Sequence, residues 1–246
     1  MTASRISAWA FVPARGGSKS IPRKNLALIA GVPMLDYGVR AAQAARCFSR
    51  IVCSTDDNEI GAHARTLGID VDRRPPHLAG DDARVADVVR EFLGRIAAAD
   101  RPEVIALVQP TSPFLLPDHC RRLMTAIGAE PAARSGQTVT PVLHNHHAFN
   151  QRIVEGGRVR FRFAAERAEA YNKQKKPRLF VFGNLVAART QALLDGLDFF
   201  AEPSVAVDVP RHYDLDVDTA EDLEIANALV RTGAVDMPHM HAGATA

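Results

Sequence analysis

Glycines, serines and basic residues are concentrated in residues 13–25, directly after the apolar run Trp9–Val12. Adjacent glycines such as Gly16 and Gly17 let backbone N–H groups converge on phosphate oxygens, and nearby cations neutralise charge as a phosphate group leaves. The cations of this segment are Arg15, Lys19, Arg23 and Lys24. The segment therefore indicates phosphoryl-transfer chemistry, although its composition also suits a solvated basic turn. It does not match the Walker A pattern or the dinucleotide-binding glycine pattern.

A second candidate site lies near the C-terminal end, where Asp216 and Asp218 flank Val217. Alternate side chains of an extended segment project to one face, so both carboxylates could hold a hard divalent cation such as Mg²⁺. Asp214 continues the alternation and is the weaker candidate. The alternative is an exposed acidic strand end before a helix that Thr219 caps.

Two further polar clusters are less specific. The histidines of residues 144–147 have no carboxylate or cysteine partners at metal-ligand spacing, which disfavours zinc and favours a polar loop lining a pocket. The basic residues of segment 173–178 could bind an anion or form a solvated loop.

The composition excludes several classes of function. The 246 residues are 47% hydrophobic and 24% charged, with a formal net charge of +2, so we expect neither a nucleic acid nor a membrane partner. No apolar run approaches the roughly 18 residues that a membrane span needs. The three cysteines have neither an even count nor CxxC spacing, and a reducing cytoplasm is the simplest expectation.

The apolar pattern predicts an α/β fold. Strand-length runs alternate with helical patterns in the first half of the chain, which is typical of a mostly parallel sheet flanked by helices. After Gly136 the pattern becomes α+β, and we predict a small arm or lid at about 141–178. We predict a single domain over 1–231 and a disordered tail over 232–246. The last helix is predicted to turn four apolar side chains toward the core, those of Leu223, Ile225, Ala226 and Leu229.

Several blocks together resemble the CMP-sialic acid synthetases (acylneuraminate cytidylyltransferases), relatives of the CMP-KDO synthetases. In order, the blocks are residues 13–25, Ile51–Asp57, Arg74–Pro75 with Leu78–Ala79, Leu107–Leu115 and Leu215–Leu223. The resemblance covers roughly residues 8–230. It implies a Rossmann-like nucleotidyltransferase fold, with Mg²⁺ as cofactor and CTP and an acidic acceptor as substrates. A homodimer whose arm reaches the partner subunit is also implied.

The resemblance implies roles for individual residues. Its nucleotide-binding positions are Ala14, Arg15, Gly16, Gly17, Ser18, Lys24, Asn25, Arg74, Gln109 and Ser112. Its acceptor-binding positions are Gln109, Thr111, His147, Lys173 and Asn184. Its catalytic positions are Lys24, Arg15, Asp216 and Asp218, the two aspartates being the metal ligands.

The acceptor side departs from the family pattern. Lys173 stands where the family has an arginine, and Gly183–Asn184 reverses an Asn–Gly step. A lysine is a point charge rather than the two-donor fork of an arginine. Because of the ordered nucleotide-side blocks, transfer of CMP to a sialic acid-like nonulosonate is the leading expectation. The departures at Lys173 and Gly183–Asn184 favour the alternative of another acidic acceptor, such as KDO, another ulosonic acid or a small phosphonate or carboxylate. A nucleotide-binding protein without catalysis is the third possibility.

Overall fold

A computed structural model describes residues 6–80 and 82–240, apart from the side chain of Lys173. The strands are β1 Ala8–Pro13, β2 Leu28–Ile29, β3 Val32–Pro33, β4 Arg50–Thr55, β5 Asp70–Arg73, β6 Val104–Leu107, β7 Ser135–Pro141, β8 Arg152–Glu155, β9 Arg158–Phe161, β10 Phe180–Arg189 and β11 Ser204–Asp208. The α-helices are α1 Met34–Ala45, α2 Asn58–Thr66, α3 Val85–Gly94, α4 Pro117–Ala129, α5 Ala164–Glu169, α6 Thr190–Leu194 and α7 Ala220–Arg231. Within these ranges, no helix has the length and apolar character needed to cross a membrane.

The central sheet has seven strands in the order β11-β7-β10-β6-β1-β4-β5. Strand β1 is parallel to both of its neighbours, β4 and β6, and β5 is parallel to β4. Strand β10 runs antiparallel to β6 and β7. The predicted mostly parallel sheet flanked by helices is confirmed.

Strand β1 shows why the sheet has a helical layer on each face. Its side chains alternate, so Ala10 and Val12 join the core beneath α1, α2 and α4, whereas Trp9 and Phe11 join the core beneath α3 and α6. Ring centroids of Phe11 and Phe92, a residue of α3, are 5.4 Å apart. Because both faces are covered, the strand is apolar throughout, as expected for a central parallel strand.

The order of the strands reverses at β1. The chain leaves β1 toward β4 and β5 on one side, and then returns to place β6 on the other side. Because the connections that follow β1 and β6 lead to opposite edges of the sheet, a crevice opens between the carboxyl ends of these two strands. Residues 13–25 and 108–111 follow β1 and β6, so the fold brings these two segments to the same crevice.

The stretch predicted as an arm lies between β7 and β10. It contains the antiparallel hairpin of β8 and β9, followed by the short helix α5. The hairpin carries Val154 and Val159, which face each other across its strands and are exposed. These elements give the second half of the chain the α+β character that its sequence indicates.

The predictions for the C-terminal region were partly wrong. Thr219 does cap α7, since its hydroxyl accepts a hydrogen bond from the amide of Asp222. Ile225, however, is 42% exposed, because the inward stripe is formed by its neighbours. The tail was predicted to be disordered, yet Val235 and Met237 are buried in a third core cluster beside α1 and α7. Their burial orders the segment to residue 240, and residues 241–246 lie outside the described ranges.

Asn184 forms a polar hub in the core, where it is only 1% exposed. Its amide nitrogen lies 3.0 Å from Nδ1 of His119, 3.1 Å from the carbonyl oxygen of Tyr213 and 3.3 Å from that of Phe114. Its carbonyl oxygen accepts a hydrogen bond from Thr138. The hub therefore joins β7, β10, α4 and the segment that follows β11.

The buried imidazole of His119 should make the stability of the fold depend on pH. Burial lowers its pKa from 6.5 to about 4. Between these values the unfolded chain binds a proton that the folded chain does not, so stability falls as the pH is lowered. We expect His119 to account for a loss of about 2 kcal/mol in unfolding free energy between pH 7.5 and pH 5.

Urea unfolding at the two pH values measures this loss. The variant His119→Gln should show a smaller difference than the native chain, whereas His77→Gln, which changes an exposed side chain, should keep the native difference. The same pH dependence in all three proteins would contradict the assignment to His119.

Candidate active site

A cavity of about 480 Å³ occupies the crevice at the carboxyl ends of β1 and β6. Three separate segments of the predicted site meet there. They are residues 13–25, called the glycine loop below, residues 108–111 after β6, and residues 214–218, called the acidic segment. The cavity is lined by Pro13, Arg15, Ser18, Lys19, Ser20, Lys24, Asn25, Arg74, Gly80, Ala83, Val85, Gln109, Pro110, Thr111 and Asp218.

The glycine loop is held by hydrogen bonds to neighbouring elements. The amide of Ala14 donates to the carbonyl oxygen of Ser54. The side-chain amide of Asn25 donates to the backbone carbonyl oxygen of Arg15 over 2.8 Å. The amide of Gly16 donates to the carboxylate of Asp56 over 3.0 Å. The Gly16 amide, which was predicted to approach phosphate, is therefore hydrogen-bonded to a carboxylate of the chain itself.

Lys24 lies where the loop meets the acidic segment. It begins a short 3₁₀ helix, and Arg23 precedes it in the left-handed backbone region with φ of 52°. Lys24 Nζ lies 2.7 Å from a carboxylate oxygen of Asp218, and the lysine side chain is mostly buried. The Arg23 guanidinium makes two hydrogen bonds to Glu59 of α2. These contacts fix both ends of the turn that carries Lys24.

Arg74 enters the cavity from the end of β5. The residue is only 5% exposed. One of its terminal nitrogens donates to the carbonyl oxygen of Ser54 over 3.0 Å. Burial lowers its pKa, and the nearby carboxylate of Asp56 acts in the opposite direction. The side chain is thus a buried cation with its charge close to the glycine loop.

The acidic segment is docked on the residues that follow β6. The amide of Val217 donates to the carbonyl oxygen of Thr111 over 2.7 Å, and the Val217 side chain is buried. Asp216 and Asp218, on either side, are solvent-exposed residues. Even so, the pKa of Asp216 is raised, because local burial removes hydration from its carboxylate and because Asp218 carries like charge nearby; a hydrogen bond from Thr111 opposes the shift.

Asp214 does not join this pair of carboxylates. Its side chain accepts a hydrogen bond from Thr140 of β7 over 2.7 Å. Within residues 6–80 and 82–240, no group of three or more His, Cys, Asp or Glu side chains is placed to hold a metal ion. Any ion at Asp216 and Asp218 would therefore take its other ligands from water or phosphate, as Mg²⁺ commonly does.

Among the predicted acceptor residues whose side chains the structure describes, Gln109 and Thr111 line the cavity. His147 is 5% exposed; its ring bonds the carbonyl oxygen of Pro177 and the amide of Phe149, beside a separate cavity of about 210 Å³. Asn184 belongs to the core hub, where its side chain is buried and already bonded to other residues of the chain. The side chain of Lys173 lies outside the described part of the structure.

Four predicted nucleotide residues are not among those that line the cavity. Ser112 is buried, and its amide donates to the carbonyl oxygen of Gln109. Ala14 is also buried, whereas Gly17 is exposed on the loop beside Gly16.

Several lining residues were given no individual role in the sequence analysis. Lys19 and Ser20 belong to the glycine loop, whose cations and hydroxyls were predicted as a group to approach phosphate. Gly80, Ala83 and Val85 carry no chemical signal, and only the position of α3 against the crevice brings them to the cavity.

The fold is of the α/β class, and its cavity lies at the carboxyl ends of the strands where the strand order reverses. The chain belongs to the cytidylyltransferase family, whose model matches residues 9–174. It is 37% identical over 153 residues to the N-acylneuraminate cytidylyltransferase of Oncorhynchus mykiss, a match that covers 61% of this chain and 33% of that protein. It is 28% identical over 197 residues to the CMP-N,N'-diacetyllegionaminic acid synthase of Legionella pneumophila, with 79% of this chain and 83% of that protein covered.

A solved structure of similar fold is the CMP:2-keto-3-deoxy-manno-octonic acid synthetase complexed with CTP. Its TM-score is 0.68 at 17% sequence identity, and the match covers 92% of this chain and 99% of that chain. The likeness confirms the expected nucleotidyltransferase fold. The match to the relative from Oncorhynchus mykiss (trout), unlike this structural match, spans only about a third of that protein's length.

The two loop glycines should respond differently to substitution. A Cβ atom at Gly16 would lie 2.8 Å from a carboxylate oxygen of Asp57 and 2.9 Å from its Cβ, whereas a Cβ at Gly17 meets nothing within 4 Å. We expect Gly16→Ala to lower the unfolding free energy by about 1–3 kcal/mol, as overpacking does. Gly17→Ala is the matched control and should change it by less than about 0.5 kcal/mol. Urea unfolding measures both values, and equal effects of the two substitutions would contradict the described loop geometry.

Proposed function

We propose that this protein transfers CMP from CTP to a hydroxyl group of an acidic, sialic acid-like sugar and releases pyrophosphate. The observation that carries the proposal is the cavity in which the glycine loop, Arg74, Gln109 and Asp218 meet. Membership of the cytidylyltransferase family supports CTP as the nucleotide. The names of the trout and Legionella relatives support a nonulosonate acceptor.

The chain's own contribution to this reaction is mainly electrostatic. The acceptor oxygen forms a bond to the α-phosphorus, the bond from that phosphorus to the bridging oxygen breaks, and the hydroxyl proton is released. Negative charge then grows on the departing pyrophosphate. Arg15, Lys19 and Lys24 line the cavity, and fixed cations aimed at developing charge lower the barrier. Arg74 and Gln109, in the same cavity, would orient the nucleotide.

We propose Mg²⁺ as the cofactor, held by Asp216 and Asp218. The donor set fits, since two oxygen ligands beside buried Val217 match the small number of protein carboxylates that Mg²⁺ usually takes. Asp218 already has a cation, the Lys24 ammonium group, at 2.7 Å. A bound divalent ion would polarise the phosphoryl group and neutralise charge on the triphosphate. Lys24 would then turn from Asp218 toward the phosphates.

The acceptor carboxylate is proposed to bind cations of the predicted arm. Arg167 and Lys176 both donate to one neutral oxygen, the side-chain carbonyl of Asn150, and the Lys176 bond is 2.7 Å long. Two cations that share a neutral acceptor can exchange it for an anion with a gain in charge pairing. A different acidic acceptor is the second candidate, and it is favoured by the burial of Asn184, which removes one expected contact with a nonulosonate.

A cytoplasmic homodimer is part of the same proposal. Exposed Val154 and Val159 on the β8–β9 hairpin form an apolar surface suited to a second copy of the chain. Cys53 and Cys120 are buried thiols, which supports a reducing compartment. Light scattering tests the dimer directly.

Turnover of CTP with a panel of acceptors tests the function. Pyrophosphate release is measured with a sialic acid, a legionaminic acid, KDO and a small phosphonate, each with CTP and Mg²⁺. We expect release with a nonulosonate, and a fall in kcat of about two to three orders of magnitude in Lys24→Met. Turnover confined to KDO or the phosphonate would select the second candidate. CTP binding without turnover of any acceptor would favour a non-catalytic nucleotide-binding protein.

If Asp216 and Asp218 hold Mg²⁺, replacing both should abolish turnover, whereas replacing Asp214 should not. The double variant Asp216→Asn/Asp218→Asn should lose turnover, and it should also lose the extra rise in melting temperature that Mg²⁺ adds to stabilisation by CTP. Asp214→Asn is the matched control from the same segment and should keep both. Full turnover in the double variant would show that these aspartates do not hold the ion.

A further inference from the structure

A buried carboxylate lies directly behind Arg74. Asp72 of β5 is 7% exposed, and its register partner on β4 is Ser54. One carboxylate oxygen of Asp72 accepts a hydrogen bond from the Ser54 hydroxyl over 3.0 Å, and the other accepts one from Arg95 over 2.8 Å. Asp72 thus lies between the outer surface of the protein and the wall of the cavity.

The connection continues from Ser54 to Arg74. The carbonyl oxygen of Ser54 accepts the bond from the Arg74 terminal nitrogen described above, and its hydroxyl oxygen lies 3.5 Å from Arg74 Nε. The Ser54 hydroxyl therefore gives its hydrogen to Asp72 and turns its lone pairs toward Arg74. The orientation of the guanidinium depends on this hydroxyl, and the orientation of the hydroxyl depends on Asp72.

Charge balance gives Asp72 a second role. A cation as buried as Arg74 is costly unless negative charge lies nearby. The carboxylate of Asp56 supplies more of that charge, and Asp72 adds to it. A carboxylate bonded directly to Arg74 would compete with an anionic ligand for its N–H groups. Asp72 avoids this competition because it reaches Arg74 through the Ser54 hydroxyl and supplies its charge at one remove.

We propose that Asp72 is a positioning residue for Arg74, acting through Ser54 so that the guanidinium is held ready for the nucleotide. The inference rests on the proposed function, in which Arg74 binds CTP. Arg95 fixes Asp72 from the outside, where it also bonds Glu91 of α3.

A double-mutant cycle separates this role from a merely structural one. Isothermal titration calorimetry measures CTP binding to the full chain and to Asp72→Asn, Arg74→Lys and the double variant. We expect Asp72→Asn to weaken CTP binding about ten-fold, as expected for loss of a charged hydrogen-bond partner, with kcat changed less than about two-fold. In the Arg74→Lys background the same substitution should add less than about two-fold, since lysine lacks the fork that Ser54 orients.

Two further variants keep the test decisive. Ser54→Ala breaks the connection while leaving Arg95 on Asp72, so it should reproduce the weaker CTP binding even if Asp72→Asn fails to fold. Asp70→Asn is the matched control, because Asp70 also lies on β5 and also pairs with an arginine, Arg50, but does not line the cavity. It should leave CTP binding unchanged.

Each remaining outcome counts against a stated claim. Unchanged CTP binding in both Asp72→Asn and Ser54→Ala, or an equal loss in the native and Arg74→Lys backgrounds, overturns the role of Asp72 alone. If the native chain does not bind CTP, both the proposed function and this inference fail. If it binds CTP without turnover, only the catalytic part of the proposed function fails, and the binding cycle still decides the role of Asp72.

Discussion

The parallel pairing of β1 with a strand on each side is the constraint on which the rest of the structure depends. It requires an apolar strand covered on both faces, and Trp9 and Phe11 supply one face while Ala10 and Val12 supply the other. It also forces the chain to leave β1 and β6 in different directions. The loop of residues 13–25 and the turn that begins at Gln109 therefore end at one crevice, whatever chemistry they carry.

In and around the cavity, acidic side chains of the chain itself pair with cations and with a backbone donor. Lys24 is paired with Asp218, Arg23 with Glu59, and the Gly16 amide with Asp56. The Arg23–Glu59 pair is exposed on both sides and contributes little to stability. Its effect is instead geometric, because it fixes the turn beside Lys24. If a triphosphate entered this cavity, Lys24 and the Gly16 amide would exchange their acidic partners for phosphate oxygens.

The local pattern of apolar, glycine and charged residues was sufficient to predict the fold and to single out the glycine loop and the acidic segment, which meet at the cavity. The apolar alternation of β1, the glycine loop and the Thr219 cap are all set by near neighbours in sequence. Burial that depends on distant elements was not predictable. Ser112, His147 and Asn184 have polar side chains suited to a ligand, yet packing turns each of them inward. Val235 and Met237 follow a polar stretch, and only the groove beside α1 and α7 orders them.

The hub at Asn184 links two halves of the molecule that differ in how closely they follow the family pattern. Asn184 belongs to the divergent half, but its amide holds the carbonyl oxygens of Phe114 and Tyr213, the latter three residues before Asp216. The arm side of the sheet and the crevice side are consequently not independent modules. Changes in the arm can leave this hub in place, whereas a change at the inner end of β10 would also disturb the acidic segment. We therefore expect substitutions to be tolerated at the periphery of this half and not at its inner end.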